Sequence, residues 1–206
     1  TASWKLTNLR INKIGITDLK LVLKFGGTSL SSPKDIRHVA KTISSLAKNN
    51  EIVVVCSSVD GVTDDLIQIS RMVEHRKKND VAETLNKIIK KHTQFANQTI
   101  KNSTIKKQLL EKLNTDVSEL QELVRGLTLL KEVSVRSLDY LISFGERLSD
   151  DLVSYALQDL KKESTALNGK EVGIVTDSNF GESRPLMDTT RIRISKTLGS
   201  LLSKKI

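Results

Sequence analysis

A lysine and two glycines at the end of a short apolar run could bind a phosphate group. The run over 20–25 carries Lys24, and Gly26 and Gly27 follow it ahead of a helix start. Two glycines let the backbone approach a ligand closely, and free N–H groups there suit an anion. The lysine supplies a positive charge for phosphoryl oxygens. The spacing matches neither common nucleotide-binding glycine pattern, so an ordinary strand-to-helix turn is an equal alternative.

Two hydroxyl side chains follow the second apolar run. This run, 52–56, is rich in β-branched residues, which favours a strand. Ser57 comes directly after it, and Thr63 follows six residues later at the next helix start. Local roles are available to both residues. Thr63 could be the N-cap of the helix, and Ser57 could satisfy the backbone of the loop.

A glycine in the middle of a long predicted helix stands next to an acid. Gly145 precedes Glu146 within the apolar pattern of about 135–161. A mid-helix glycine costs about 1 kcal/mol relative to alanine, so it requires a reason. Close approach of a ligand or of another helix would be one. The alternative is a solvated acid beside a glycine that serves only helix packing.

Taken together, the three segments resemble the motifs of aspartate kinases, in that family's order. The matching runs are Lys-Phe-Gly-Gly-Thr-Ser from Lys24, Ser57 with Thr63, and Ser-Phe-Gly-Glu-Arg around Glu146. A fourth run, Thr-Asp-Ser-Asn-Phe-Gly over 176–181, resembles a family segment with lower specificity. In it, Asp177 or Asn179 either faces the active site or caps a turn. The resemblance covers about residues 20–206, and residues 1–19 form an extension without a counterpart.

The resemblance implies an α/β amino-acid-kinase fold, which is similar to carbamate kinase and has a mainly parallel sheet between helices. Residues 20–206 would be its amino-terminal lobe, with a helix-rich middle. The implied reaction is ATP-dependent phosphorylation of the side-chain carboxylate of L-aspartate to 4-phospho-L-aspartate, the first step of lysine, threonine and methionine biosynthesis. Mg²⁺ would come with the nucleotide, and we expect no metal site made by the protein alone.

The same resemblance implies a role for each residue. Lys24 would be catalytic and would contact the phosphoryl oxygens, beside the backbone of Gly26 and Gly27. Three side chains would bind the amino-acid substrate: Ser57, Thr63 and Glu146, the last on its ammonium group.

Parts of the family pattern do not occur in these 206 residues. They contain no Gly-Arg-Gly-Gly-Ser-Asp loop, no nucleotide-binding half and no paired ACT modules. We therefore expect this chain alone to be an inactive piece of the catalytic domain, and a homo-oligomer when full length. The alternative is a non-catalytic fragment that binds an amino acid or regulates a partner.

The order of predicted elements agrees with an α/β lobe. Strand 20–25, helix 33–48 and strand 52–56 make a βαβ unit with parallel strands. Helical periodicity runs from Thr63 to about Lys161, with turn signals at 79–80 and 102–103. Two short strand candidates, 164–167 and 171–176, flank a turn at 168–169. A basic helix near 189–204 ends the chain.

Composition excludes several classes of protein. No apolar run approaches the roughly 18 residues of a membrane span, and basic residues interrupt any candidate secretion signal. The single cysteine, Cys56, fits the cytoplasm and is expected to be a small buried residue rather than a nucleophile. The net charge of +9 is spread over helical patterns, and only 3% of residues are aromatic. Nucleic-acid binding is therefore not expected.

Overall fold

The described part of the chain, residues 19–203 of a computed structural model, opens with the predicted βαβ unit. Strands β1 (Leu19–Phe25) and β2 (Asn50–Cys56) are parallel, and helix α1 (Pro33–Leu46) connects them. The register places Lys24 opposite Val55. Of the predicted extension 1–19, only Leu19 is described, as the first residue of β1; the rest lies outside the described residues.

Local sequence explains where α1 begins. A short 3-10 helix (Gly27–Leu30) follows β1, and then the Ser32 hydroxyl accepts a hydrogen bond of 3.2 Å from the Asp35 N–H. Pro33 occupies the first turn, where its missing N–H costs nothing. The Asp35 carboxylate in turn accepts from the hydroxyls of Ser32 and Ser31, which lowers the pKa of Asp35. This cap fixes the exit of the chain from the glycine turn.

Four long helices form the middle of the lobe: α2 (Val62–Glu74), α3 (Lys78–Thr99), α4 (Ser103–Leu130) and α5 (Val135–Asp159). Helix α5 is central, because it contacts α1, α2, α3, α4 and β2. The buried core is aliphatic apart from Phe144 and Cys56. The turn predicted at 79–80 was misplaced, since these residues lie in the first turn of α3 and the break is at 75–77. No helix within residues 19–203 has the length and hydropathy to cross a membrane.

The two faces of the sheet have different environments. One face packs on the helical core through four partly buried side chains: Leu23, Phe25, Ile52 and Val54. On the other face, Val22 is 71% exposed and Val55 is 44% exposed. Because side chains alternate along a strand, Lys24 lies on this exposed face, near the carboxyl end of β1.

The predicted strands at 164–167 and 171–176 are wrong. The structure has a short helix α6 (Gly169–Val172) between irregular segments, and a single bridge between Thr176 and Pro185. The reason is a capping box: the Asn168 side chain accepts from the Glu171 N–H, and the Glu171 carboxylate accepts from the Asn168 N–H. The final helix, α7 (Met187–Ser203), agrees with its prediction.

Candidate active site

The predicted site residues from the first two motifs meet at the carboxyl ends of β1 and β2. Beyond the last strand pair, the Ser57 N–H donates to the Phe25 carbonyl oxygen at 2.9 Å. This bond extends the pairing by one residue and brings the glycine turn beside the loop that follows β2. Crevices at the carboxyl ends of parallel strands are where α/β sheets bind their ligands.

The two glycines of the turn have different surroundings. A β-carbon at Gly27 would lie 3.2 Å from the Ser58 carbonyl oxygen, so this glycine permits tight packing of the turn on the second loop. A β-carbon at Gly26 would meet no atom within 4 Å. Gly26 has an extended backbone (φ −81°), which any residue can adopt. Open space, rather than backbone conformation, distinguishes this position, and it leaves room for a ligand.

Lys24 has no ion pair or side-chain hydrogen bond among residues 19–203. Lys20, four positions earlier on the same face, pairs with Glu51 at 3.4 Å. The positive charge of Lys24 therefore does not stabilise the fold through an ion pair with any of the described residues. That charge is available to an anion at the carboxyl end of the strand.

The loop after β2 orients two hydroxyl groups and leaves a third free. Helix α2 is capped by Gly61, in the left-handed region (φ 78°), so the prediction of Thr63 as N-cap was wrong. The Thr63 hydroxyl instead lies 2.5 Å from that of Ser58. The half-buried Ser57 makes no side-chain hydrogen bond to the described residues, so its hydroxyl can serve a ligand.

Glu146 is brought to this loop by the close packing of α5. A β-carbon at Gly145 would lie only 2.9 Å from the Ser58 β-carbon, which supplies the reason for a glycine in the helix. The Ser58 backbone N–H interacts with the Glu146 carboxylate and stabilises its charge. Burial nevertheless has the larger effect and raises the pKa of Glu146 above its usual value.

A buried serine, whose role sequence reasoning missed, holds the loop against α5. The Ser149 hydroxyl accepts from the Val59 N–H at 2.7 Å and donates to the Gly145 carbonyl oxygen at 2.9 Å. From the other side, the Lys91 ammonium donates to the Asp60 carbonyl oxygen. The loop is therefore fixed by side chains of both α5 and α3.

Asp150 is a second carboxylate near the site, and it was also missed. It lies one helical turn after Glu146, and its carboxylate interacts with the Cys56 thiol at the end of β2. Burial raises the pKa of Asp150 to about 7, and the negative charges of Asp151 and Glu146 add to that shift. Burial, with the Asp150 carboxylate, also raises the pKa of Cys56 to about 12. A thiol with that pKa is a poor nucleophile, and its burial agrees with the predicted role.

The arginine of the third motif belongs to the helix interface. The Arg147 guanidinium lies 2.6 Å from both Asp116 and Glu119 of α4, and 4.4 Å from the centroid of the Phe144 ring. These carboxylates raise the pKa of Arg147. Its side chain therefore anchors α5 to α4, whereas the adjacent Glu146 faces the loop after β2.

Within residues 19–203, the fourth motif makes no hydrogen bond or ion pair to the other three. An Asp177 carboxylate oxygen accepts from the backbone N–H groups of Asn179 and Arg184, both at 3.1 Å, so it closes its own turn. Asn179 is exposed. The turn is attached to α5 where the Gly181 N–H donates to Asp139 at 2.7 Å. Asp139 precedes Glu146 by two helical turns on the same face, about 10 Å along the axis.

No group of three or more His, Cys, Asp or Glu side chains within residues 19–203 is arranged to hold a metal ion. The site instead combines a free lysine, exposed backbone at a glycine turn, hydroxyl groups and a half-buried carboxylate. Such a set can bind anionic oxygens at one end and a cationic group at the other.

Comparison with known proteins identifies the family. The model of the amino acid kinase family matches residues 20–205. The chain belongs to the amino acid kinase family. Aspartokinase III of E. coli, solved with aspartate and ADP, superposes with a TM-score of 0.77 over 91% of this chain and 39% of that one, at 21% identity. The predicted fold is therefore confirmed.

Curated relatives are aspartokinases. Aspartokinase 2, chloroplastic, of Arabidopsis thaliana is 28% identical over 190 residues, 91% of this chain and 33% of its own length. Aspartokinase of Geobacillus stearothermophilus is 26% identical over 175 residues, 84% of this chain and 29% of its own. The chain spans about a third of the length of the curated relatives it matches. The resemblance to aspartate kinases drawn from the motifs is confirmed.

Proposed function

We propose that residues 20–206 are the amino-terminal lobe of an aspartate kinase catalytic domain. The complete enzyme would transfer the γ-phosphoryl group of ATP to the side-chain carboxylate of L-aspartate. The observation that carries the proposal is that the glycine turn after Lys24 and the helix that carries Glu146 both pack against Ser58, in the loop after β2. The similarity to aspartokinases supports it.

Lys24 is proposed to act on the transferring phosphoryl group. An aspartate carboxylate oxygen attacks the γ-phosphorus, and the bond from that phosphorus to the β-phosphate oxygen breaks, releasing ADP. Both reactants are anions, so positioning and charge compensation dominate catalysis. Lys24 has a charge that no other described residue neutralises. The open side of Gly26 and the adjacent Gly27 admit phosphoryl oxygens to the backbone N–H groups.

Aspartate is proposed to lie along the loop after β2. Glu146 would accept hydrogen bonds from the substrate ammonium group, and that positive charge would favour its ionised form. The free hydroxyl of Ser57 and the hydroxyl pair of Thr63 and Ser58 would bind substrate oxygens. Ser149 and Lys91 keep this loop in place before the substrate arrives. Asp177 and Asn179 remain weaker candidates, since each is engaged in its own turn.

Mg²⁺ is proposed to enter bound to the nucleotide. Such an ion usually keeps several waters and is held through substrate phosphates with one or two carboxylates, rather than by a cage of protein ligands. When bound it would offset charge on the phosphates. Among residues 19–203, no cluster of side chains is arranged to hold the ion alone, so the site fits Mg²⁺ only when the nucleotide supplies phosphate ligands.

We also propose a metabolic step, a compartment and an oligomeric state for the complete enzyme. We place the enzyme at the first step of lysine, threonine and methionine synthesis, in the cytoplasm, as a homo-oligomer. The reducing compartment is consistent with a single buried cysteine.

The test is an assay on a protein that carries this lobe together with a nucleotide-binding half. We expect ADP release that requires L-aspartate, and an acyl phosphate that hydroxylamine traps as a hydroxamate. The 206-residue chain is the control, and we expect it to be inactive because it contains no Gly-Arg-Gly-Gly-Ser-Asp loop. ADP release without dependence on aspartate, or with a different acid as the preferred acceptor, would contradict the proposal.

A further inference from the structure

A pocket of about 300 Å³ lies at the carboxyl end of α5, whereas the candidate active site contacts the middle of this helix. Its walls come from α1, from the junction of α3 and α4, and from the last turn of α5. Asp159 in this pocket follows Glu146 by 13 residues, which is about 20 Å along a helix axis. The pocket is therefore separate from the site described above, and its volume is at the lower end of the range for small-molecule sites.

The hydrogen-bond acceptors of this pocket are already engaged. The two Asp159 carboxylate oxygens accept from the backbone N–H groups of Lys101 and Asn102, at 3.1 and 2.8 Å. The Thr99 carbonyl oxygen accepts from Arg37 Nε at 2.7 Å. A ligand that brought only donors would find few free partners here.

Most of the side-chain donors, in contrast, are free. The Lys41 and Lys101 ammonium groups have no ion pair among the residues that the structure describes. Thr99 is 1% exposed, and its hydroxyl has no hydrogen-bond partner, which is rare for a buried polar group. Arg37 Nη2 lies 3.8 Å from the Asp159 carboxylate, which is a long ion pair, so the terminal nitrogens of Arg37 can also bind a ligand. Three cations against one carboxylate leave a formal charge of +2.

We propose that this pocket binds a small dianion, either an organic phosphate or a dicarboxylate. Lys41, Lys101 and Arg37 would hold its charged oxygens, and the Thr99 hydroxyl would donate the remaining hydrogen bond. Charge-assisted bonds of this kind are the strong ones, and the excess of donors selects a ligand rich in acceptors. Apolar lining from Ala156 and other residues leaves room for a short carbon chain.

Calorimetric titration of the 206-residue chain tests the proposal, with inorganic phosphate and succinate as probes at constant ionic strength in chloride. Because Lys24 could also bind phosphate, the titrations use a Lys24→Ala background. We expect one saturable site for at least one probe. Lys41→Ala and Lys101→Ala should each weaken it about tenfold or more, as for hydrogen bonds to charged groups. The matched control is Lys48→Ala, an exposed lysine just beyond α1, which should leave the affinity unchanged.

Thr99→Val distinguishes a built site from a diffuse positive surface. It keeps the shape of the side chain and removes only the hydroxyl, so we expect a several-fold loss of affinity with no loss of thermal stability. Lys→Gln variants replace any Lys→Ala variant whose melting temperature falls. The proposal is overturned if neither probe saturates at millimolar concentration. It is also overturned if Lys48→Ala weakens binding as much as Lys41→Ala, because the ion would then be only a counterion.

Discussion

Gly145 and Ser58 are in such close contact that a β-carbon on Gly145 would lie 2.9 Å from the β-carbon of Ser58. Real β-carbons essentially never approach so closely. The helix that carries Glu146 and the loop that carries Ser57 can therefore pack this closely only because residue 145 has no side chain. This contact fixes the distance between the proposed ammonium-binding carboxylate and the hydroxyl groups of the loop.

Gly145→Ala should destabilise the fold by about 1–3 kcal/mol, because overpacking must move Ser58 or α5. The control is Gly126→Ala in α4, where a β-carbon would meet no atom within 4 Å. That change should stabilise by about 0.5–1 kcal/mol through helix propensity alone. Urea unfolding of both variants measures the opposite signs. Equal effects at the two positions would show that the Ser58 contact does not constrain α5.

From the sequence, candidate groups for this site could be proposed, but the contacts that support them could not. Lys24 and Ser57 follow readable strand ends, and the mid-helix position of Gly145 already required a close neighbour. Which neighbour it was could not be read, since the loop and the helix are distant in the chain; the bond from Val59 to Ser149 spans 90 positions. Contacts of that range depend on how whole elements pack.

The predictions for short segments were wrong for a different reason. The residues at 171–176 have the composition of a strand, but Asn168 and Glu171 have the spacing of a capping box, and the cap prevailed. Thr63 has a hydroxyl suited to an N-cap, yet Gly61 in the left-handed region starts α2 two residues earlier. In both places, polar or glycine residues at the start of a helix determined the local structure.

Asp150 should make the fold less stable as the pH rises. Its folded pKa, about 7, is above the usual 3.8 because of burial, so the unfolded chain loses this proton first. The resulting penalty grows from pH 4 to about pH 7 and is then constant. Relative to the unmodified chain, Asp150→Asn should gain about 2–3 kcal/mol of stability between pH 5 and pH 8. Chemical denaturation of both proteins at pH 5 and pH 8 measures this gain, and the exposed Glu163→Gln is the control. A stability difference between Asp150→Asn and the unmodified chain that does not change with pH would contradict the assignment.

His92 should have the opposite effect. It is 1% exposed, its Nδ1 lies 2.8 Å from the Ile88 carbonyl oxygen, and burial lowers its pKa to about 4 from 6.5. Stability is therefore lost as pH falls through 6.5 towards 4, since the unfolded chain binds the proton more readily. The loss between pH 7 and pH 5 should be about 2 kcal/mol, and His92→Leu should remove that pH-dependent part. The exposed His38→Leu is the control. If His92→Leu loses as much stability between pH 7 and pH 5 as the unmodified chain, the loss is due to a group other than His92.

Lys24→Ala, in a protein that carries both lobes, should lower kcat about 100-fold or more. The KM for aspartate should change much less, because the lost charge acts on the transferring phosphoryl group. The matched control is Lys20→Ala, which removes a lysine from the same face of β1 where Glu51 already pairs with it. Steady-state kinetics separate the two constants. An unchanged kcat would remove Lys24 from the phosphate role.

The measurement that tests the central claim most directly is the aspartate KM of Glu146→Gln in that same protein. If Glu146 binds the substrate ammonium, aspartate binding should weaken about 10- to 100-fold, which is the range for a hydrogen bond to a charged group. The KM for ATP should stay constant, and the free energy of unfolding should not fall, because burial already disfavours the charge of Glu146. Glu122→Gln, an exposed acid of α4, is the control. An aspartate KM and a kcat both unchanged in Glu146→Gln would contradict the account.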